Sequence, residues 1–323
     1  MRALPFALTL TLLVPAAGAS ASGGYPFGAQ AGPAGVTTPG SAARYVTIDS
    51  GTNTVLERIQ RAGGQVSAWR TLHGRLVIPA IAMDGTPGGL SADEGTLVLV
   101  RPLTTFPISR TPLAIVDTHT MHVRKLSLKG MFAFDAVSPD GRSLYLTEYP
   151  SSDLSAYVVR RYDVARGRLA PGAVVDRRNP GEEMRGSPLT RVASADGRWA
   201  YTLYDGAQNA PFIHALDTAR GRAFCIDLDA LMGNPQLYGL RLQLAGGRLQ
   251  VLDRGEPLAS VDTATFHVTT GAPAPVRTRP TTGAADAGSG GLVWPLALGA
   301  ALAAGFGVAM LRLTRRRRAV ASR

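Results

Sequence analysis

A short segment recurs along the middle of the chain, and recurrence at a fixed period restricts the possible folds more than any other property of a sequence. "LSADEGTLVLVRP" begins at Leu90, "VSPDGRSLYLTEY" at Val137, "ASADGRWAYTLYD" at Ala193, and a worn copy, "LAGGRLQVLDRG", at Leu244. A second motif follows each: "LAIVDTHTMHVRKL", "VVRRYDVARGRLAP", "IHALDTARGRAFCI" and "LASVDTATFHVTTG". Their aspartates, Asp117, Asp163, Asp217 and Asp262, are separated by 46, 54 and 45 residues. An earlier copy, "YVTIDSGTNTVLERI", stands alone around Asp49 and makes half a unit.

Each full unit reads as two hairpins. "FAFDAVS" and "RSLYLTEY" alternate apolar and polar residues on either side of Asp140-Gly141, a strong hairpin signal. "VVRRYDVARGRLAP" turns at Val164 to Gly167, where Asp163 can accept bonds from the amides of its own turn. Four short strands per unit, repeated with a period near 50, define an all-β fold. A β-propeller of about five or six four-stranded blades, regular or not, is the expectation.

The stretch around Asp140 could also be a catalytic or metal-binding loop. Asp93 and Asp196 stand at the same place in their own units, each two residues after a serine and close to a glycine. A turn that starts the second strand of every blade must recur, whereas a catalytic loop need not. These aspartates are therefore read as turn residues, with Leu99, Tyr145 and Tyr201 facing the packing between blades.

The segments "SPDGRSLYLT" and "SADGRWAYTL", each followed by an Asp turn such as "DTARGR", resemble the repeats of extracellular bacterial β-propellers, the YVTN and TolB-like group of the WD-type class. The resemblance covers about 230 residues, roughly Arg44 to Thr270. It implies a fold and leaves function open, because that fold hosts scaffolds, binding modules, lyases and lactonases alike.

The two ends read differently. Leu4 to Val14 is an uncharged apolar run after Arg2, followed by small residues, so 1–21 is read as a signal peptide. Segments 22–43 and 271–291 are rich in Gly, Ala, Pro and Thr and are expected to be flexible, the second as a stalk. Leu292 to Leu311 holds no charge and as a helix would span about 30 Å, the thickness of a hydrocarbon core. The tail 312–323 carries six arginines and no acid, which is expected to stay on the cytoplasmic side. The chain is thus read as a single-pass membrane protein with its β domain (44–270) outside the cell.

The tail and Arg2 account for seven of the +11 net charges, leaving +4 on the remainder. That balance gives no case for a nucleic-acid partner. Cys225 is the only cysteine, so the fold must be held by its apolar core. In "RAFCIDL" it falls on the strand face opposite Phe224, Ile226 and Leu228, and it is read as a plain strand residue, not a reactive thiol.

No nucleophile elbow, zinc motif, phosphate loop or EF-hand spacing is present, and the five histidines form no local metal pattern. No metal or cofactor is assigned. Both signature turns lie on one face of a propeller, so the longer loops collect on the other, where binding usually sits. The candidate binding residues on that face are Tyr149, Asp153, Arg177, Arg178, Glu182, Glu183, Arg185, Asp205, Gln208, Asn209, Asp253 and Arg254. The favoured reading is a binding or interaction module with an unknown protein or small-molecule ligand. The alternative is a propeller hydrolase or lyase working in the central channel.

Overall fold

The computed structural model describes residues 28–271 apart from 104, 155, 182 and 183. The expected signal peptide, the stalk beyond Gly271, the apolar span and the arginine tail lie outside the described residues. Within them the chain folds into five antiparallel sheets, taken up in sequence order. The first holds β1 (Ala43–Ser50), β2 (Asn53–Gln60) and β3 (Val66–His73); the second holds β4 (Thr96–Val100), β5 (Arg110–Asp117) and β6 (Val123–Lys129). The third holds β7 (Met131–Val137), β8 (Ser143–Tyr149), β9 (Val158–Asp163) and β10 (Arg168–Leu169). The fourth holds β11 (Pro188–Ala193), β12 (Trp199–Tyr204), β13 (Phe212–Asp217) and β14 (Arg222–Asp227). The fifth holds β15 (Arg241–Ala245), β16 (Arg248–Asp253), β17 (Glu256–Asp262) and β18 (Val268–Thr270). Helix is confined, among the described residues, to two single 3-10 turns before β15.

Local chemistry makes these blades. In the β7–β8 turn the Ser138 hydroxyl donates to Asp140 Oδ1 at 2.7 Å, and the Arg142 amide donates to the same oxygen at 3.1 Å. Ser138 Oγ in turn accepts the Ser143 amide at 2.9 Å. The same three bonds recur at Ser91/Asp93 and at Ser194/Asp196, so the repeated motif is a turn. Gly141 and Gly197 sit there at φ +67° and +68°, which a side chain would resist. The second motif is equally regular. Asp117, Asp163, Asp217 and Asp262 each accept the amide three residues on. Those amides hold the Asp117, Asp163 and Asp262 carboxyls below their ordinary range.

Each sheet buries its faces against its neighbours in sequence. Tyr45, Leu56 and Leu72 of the first blade pack on Leu97, Leu99, Ala114 and Val116 of the second. Val98, Val100 and Leu113 then pack on Phe132, Phe134, Leu144 and Leu146 of the third. Tyr201, Leu203 and Ile213 of the fourth pack on Leu249, Val251 and Val261 of the fifth. Leu99, Tyr145 and Tyr201 are buried as the pattern requires. No described blade covers the outer face of the first, where Ile48, Val66 and Trp69 are 46%, 47% and 66% exposed. The last blade ends on a polar face bearing Arg241, Gln243 and Arg248, all exposed. Among the described residues the blades therefore form an open arc.

Three blades have four strands and two have three, so the irregularity allowed for in the four-stranded blades falls on the first two. The missing inner strands are replaced by isolated bridges: Val36 to Tyr45 in the first blade, and Val77 to Val100 and Leu90 to Leu97 in the second. These inner segments carry Pro33, Pro39, Pro79 and Pro87, which lack the amide a ladder needs. The segment around 80–87 instead crosses to the fourth blade, where the Met83 amide donates to the Pro188 carbonyl at 2.8 Å. The flexibility expected over 22–43 is likewise corrected from Gly28 onward, because Ala31 and Val36 are buried in the core. Their burial comes from the backbone bonds this Pro/Gly-rich segment makes to Ile78 and Tyr45.

Candidate functional site

The inner strands and the crossing segments surround an axial cavity of about 160 Å3 on the side of the signature turns. Its wall includes Thr37, Thr38, Gly88, Asp135, Arg191 and Ser194. Asp135 is the extra residue of a bulge in β7 between Phe134 and Ala136, and a bulge re-aims its side chain. The Asp135 carboxylate pairs with Arg191 of β11, and both side chains are 4% exposed, so neither charge has solvent to fall back on. Arg191 also donates to the Asp135 carbonyl, and its Nε to Thr202 Oγ1 at 2.7 Å. Asp135 Oδ2 has no hydrogen-bond partner. The cavity wall thus holds a charge-balanced pair, with one carboxylate oxygen buried and unpartnered.

From Arg191 a polar row runs outward across the fourth blade. Arg191, Thr202, His214 and Cys225 are directly opposite one another on β11 to β14. On one side the row Ala200–Leu216–Ala223 is apolar, and on the other Tyr204–Phe212 is aromatic and ends at Asp227. His214 is 1% exposed, and neither ring nitrogen has a partner. Burial pushes its imidazole down to about 4, so the ring is neutral at neutral pH. Beside it Tyr149, Tyr157 and Tyr204 pack in a row of tilted rings, with centroids 5.4 and 5.9 Å apart. The Tyr157 hydroxyl donates to the carbonyl of Gly186 at 3.1 Å.

The residues expected on the opposite, loop face are only partly brought together. Arg185 and Asn209 line a recess of about 270 Å3 with Met184, Cys225, Asp227 and Asp229. Asp205 stands next to it as a loop organiser, accepting the amides of Ser187 and Ala207 and the hydroxyl of Tyr238. Gln208 is exposed in the same loop, and Asp153 and Arg177 are exposed elsewhere on that face. Arg178 is bound to Asp176 at 2.6 Å and lies over the Phe224 ring, which ties the link after β10 to β14. Burial pushes the Asp176 carboxyl up, but the bonds from Arg178 and from the Cys225 amide outweigh it and leave it lowered. Tyr149 is 4% exposed and serves the aromatic core rather than the surface. Asp253 and Arg254 sit in a tight turn between β16 and β17, remote from that recess in sequence and blade. Glu182 and Glu183 lie outside the described residues.

A recess of about 490 Å3 lies between the first two blades and carries Arg75 and Lys125. Both are engaged, Arg75 with Asp49 at 2.8 Å and Lys125 with the carbonyl of His73 at 3.0 Å. Sequence reasoning missed the Asp135–Arg191 pair, although its signal was visible. Asp135 lies five residues before Asp140, and Arg191 five before Asp196, so opposite charges occupy one repeat position in successive blades.

Fold and site together define a β-propeller-type repeat protein with an axial cavity. No protein-family model matches the chain, and no curated protein matches it. Among solved structures it is similar to a puromycin hydrolase at 17% identity, over 73% of this chain and 36% of that one, with a TM-score of 0.42. It is similar to an oligogalacturonate lyase in complex with manganese at 14% identity, over 73% and 63% of the two chains, with a TM-score of 0.45. A putative TolB from Agrobacterium tumefaciens is 14% identical over 70% and 76%, with a TM-score of 0.36. The chain spans about a third of the puromycin hydrolase and under two thirds of the lyase. These likenesses carry no argument about activity, substrate or partner.

Proposed function

We propose that this protein is a binding module: a rigid arc of blades, displayed outside the cell and anchored through Leu292 to Leu311, that takes a small polar ligand in its axial cavity. The observation that carries the reading is a cavity of about 160 Å3 whose wall holds the buried Asp135–Arg191 pair. A cavity of that size admits only a small ligand, and its polar wall calls for one with hydrogen-bonding groups. Anchoring rests on the apolar run and arginine tail of the sequence alone.

A hydrolase or lyase in the same channel is the competing reading, and it needs a nucleophile or base at the cavity. Ser194 lines it, but its hydroxyl donates to Asp196 at 2.5 Å and accepts the Trp199 amide at 2.9 Å. A turn serine so engaged is a poor nucleophile, and Asp135, the carboxylate of that wall, is tied up by Arg191, which favours binding. The test is a thermal-shift and calorimetric screen of small amines, amino acids and sugars against the wild type and Ala193→Trp. Ala193 is an exposed residue of the cavity wall, so the bulky ring blocks entry without disturbing the core. Ligand-induced stabilisation should vanish in the variant. Equal stabilisation of both proteins sinks the axial reading, and chemical turnover of a bound compound moves the assignment to the enzyme.

A further inference from the structure

We propose that the recess of about 490 Å3 between the first two blades binds a small soluble organic anion, an acidic head on a compact apolar body. The site is separate from the axial cavity, with which it shares no wall residue. Its volume falls within the roughly 300–1,000 Å3 of small-molecule clefts, which are mostly apolar with a few placed polar groups.

Two independent observations meet there. The first is the apolar base. Leu76 and Leu113 are buried residues of the cores of the first two blades, and the half-buried Pro112 and Leu126 extend the same surface. The second is the charge around it. Arg75, Arg101 and Lys125 stand in the wall with His73, and no Asp or Glu does. Arg75 is answered by Asp49 from outside the wall, in a pair whose side chains are 57% and 56% exposed. Lys125 donates to the carbonyl of His73, which is neutral, so its charge is not balanced. Arg101 is exposed and has no hydrogen bond or ion pair among the described residues.

More positive charge stands at the edge. Arg110 donates to the hydroxyl and the carbonyl of Ser127, a wall residue, at 2.9 and 2.7 Å, and Lys129 lies directly across the strands from Arg110. Those bonds too go to neutral oxygens. Elsewhere the chain gives its arginines an aspartate: Asp176 for Arg178, Asp135 for Arg191 and Asp217 for Arg198. Here the acid is missing, and the ligand brings it. A bare inorganic anion gains little, because ion pairs open to water are weak. An apolar body laid on Leu76, Leu113 and Leu126 adds the burial that an exposed charge pair lacks. The two halves of the recess therefore select one class of ligand, with the acidic group held by Arg101 and Lys125.

The experiment titrates the full chain, held in nanodiscs of zwitterionic lipid, with naphthalene-2-sulfonate by calorimetry, empty nanodiscs serving as the blank. One probe per chain should bind, and added salt should weaken it. Methanesulfonate keeps only the head and 2-naphthylmethanol only the body, and each should bind about tenfold or more weakly. Loss of an exposed ion pair weakens binding up to about fivefold, and charge reversal adds a repulsion, so Arg101→Glu should cost about tenfold. Arg101→Lys should stay near wild type. Arg101 is exposed and unbonded, so neither change threatens the fold, and circular dichroism melts check this. Ala193→Trp, which blocks the axial cavity, should leave this binding unchanged. The proposal is overturned if the probe does not bind at millimolar concentration, if either half-probe binds as tightly as the whole, if folded Arg101→Glu matches wild type, or if Ala193→Trp abolishes binding.

Discussion

The buried pair of Asp135 and Arg191 offers the sharpest test of the architecture. Both side chains are 4% exposed, and each of the two charges is compensated by the other. Replacing Arg191 by Met leaves the Asp135 carboxylate inside the protein without a counter-charge, and it strips the Arg191 bonds to the Asp135 carbonyl and to Thr202 Oγ1. Removal of one partner of a buried ion pair costs about 3–5 kcal/mol. Removing both charges is different. With Asp135→Leu added, no charge is left buried, and apolar replacement of such pairs is often neutral or stabilising by about 1–4 kcal/mol. The double variant should therefore recover most of the loss, a strongly non-additive cycle between residues in contact. Urea unfolding of wild type, the two single variants and the double variant, with unchanged slopes, measures the cycle. A loss under about 1 kcal/mol for Arg191→Met, the scale of an ordinary surface change, refutes the reasoning, as does a double variant whose loss is the sum of the singles.

Three further outcomes are expected. Asp140→Asn should cost under about 1 kcal/mol in thermal or urea unfolding, because both Ser138 Oγ and the Arg142 amide donate to Oδ1, which Asn retains; a loss of ligand binding in the folded variant would restore a functional reading of that loop. Stability should be full above pH 6.5 and fall as the pH drops toward 4. The folded His214 value of about 4 lies below its ordinary 6.5, so the unfolded chain binds more protons in that window. At 1.36 kcal/mol per unit the fall is roughly 3 kcal/mol, and a pH series in urea should show His214→Gln without that limb. Protease added to intact cells should degrade the β domain and spare a tag fused after Arg323, and protection of the domain would reverse the proposed orientation.

The hairpins were legible because their chemistry is local. Asp-Gly turns, the amide-capping aspartates and the alternation of "RSLYLTEY" act within a few residues, and each appears where the repeat puts it. What could not be read is what the chain does without a ladder. Segments 28–42 and 75–90 carry the Pro and Gly content of a linker, and composition alone gives no sign that they lie in the middle of the domain. They are held by single bridges and by backbone bonds to distant partners, such as Met83 to Pro188. Such contacts leave no periodic trace, so the inner strands of the first two blades and the cavity they close were invisible.

The same distinction explains why the loop face stands out in the sequence and the axial cavity does not. Loop length and charge pointed to "DRRNPGEEMRGSP", yet Arg178 there is fastened to Asp176 and serves to hold two blades together. A better guide was a charge at an inward strand position, since an apolar strand tolerates one only where the structure supplies its partner. Gly88, Asp135 and Arg191 each stand five residues before the turn aspartate of their unit, and all three line the axial cavity. A repeat position that is Gly in one blade, acidic in the next and basic in the third is not a packing position. In a propeller-like arc the same position of each inner strand faces the axis, so substitutions there compose the cavity wall without altering the blades. The repeat hence encodes both parts: positions that stay alike make the turns, and the position that varies most sharply in charge makes the site.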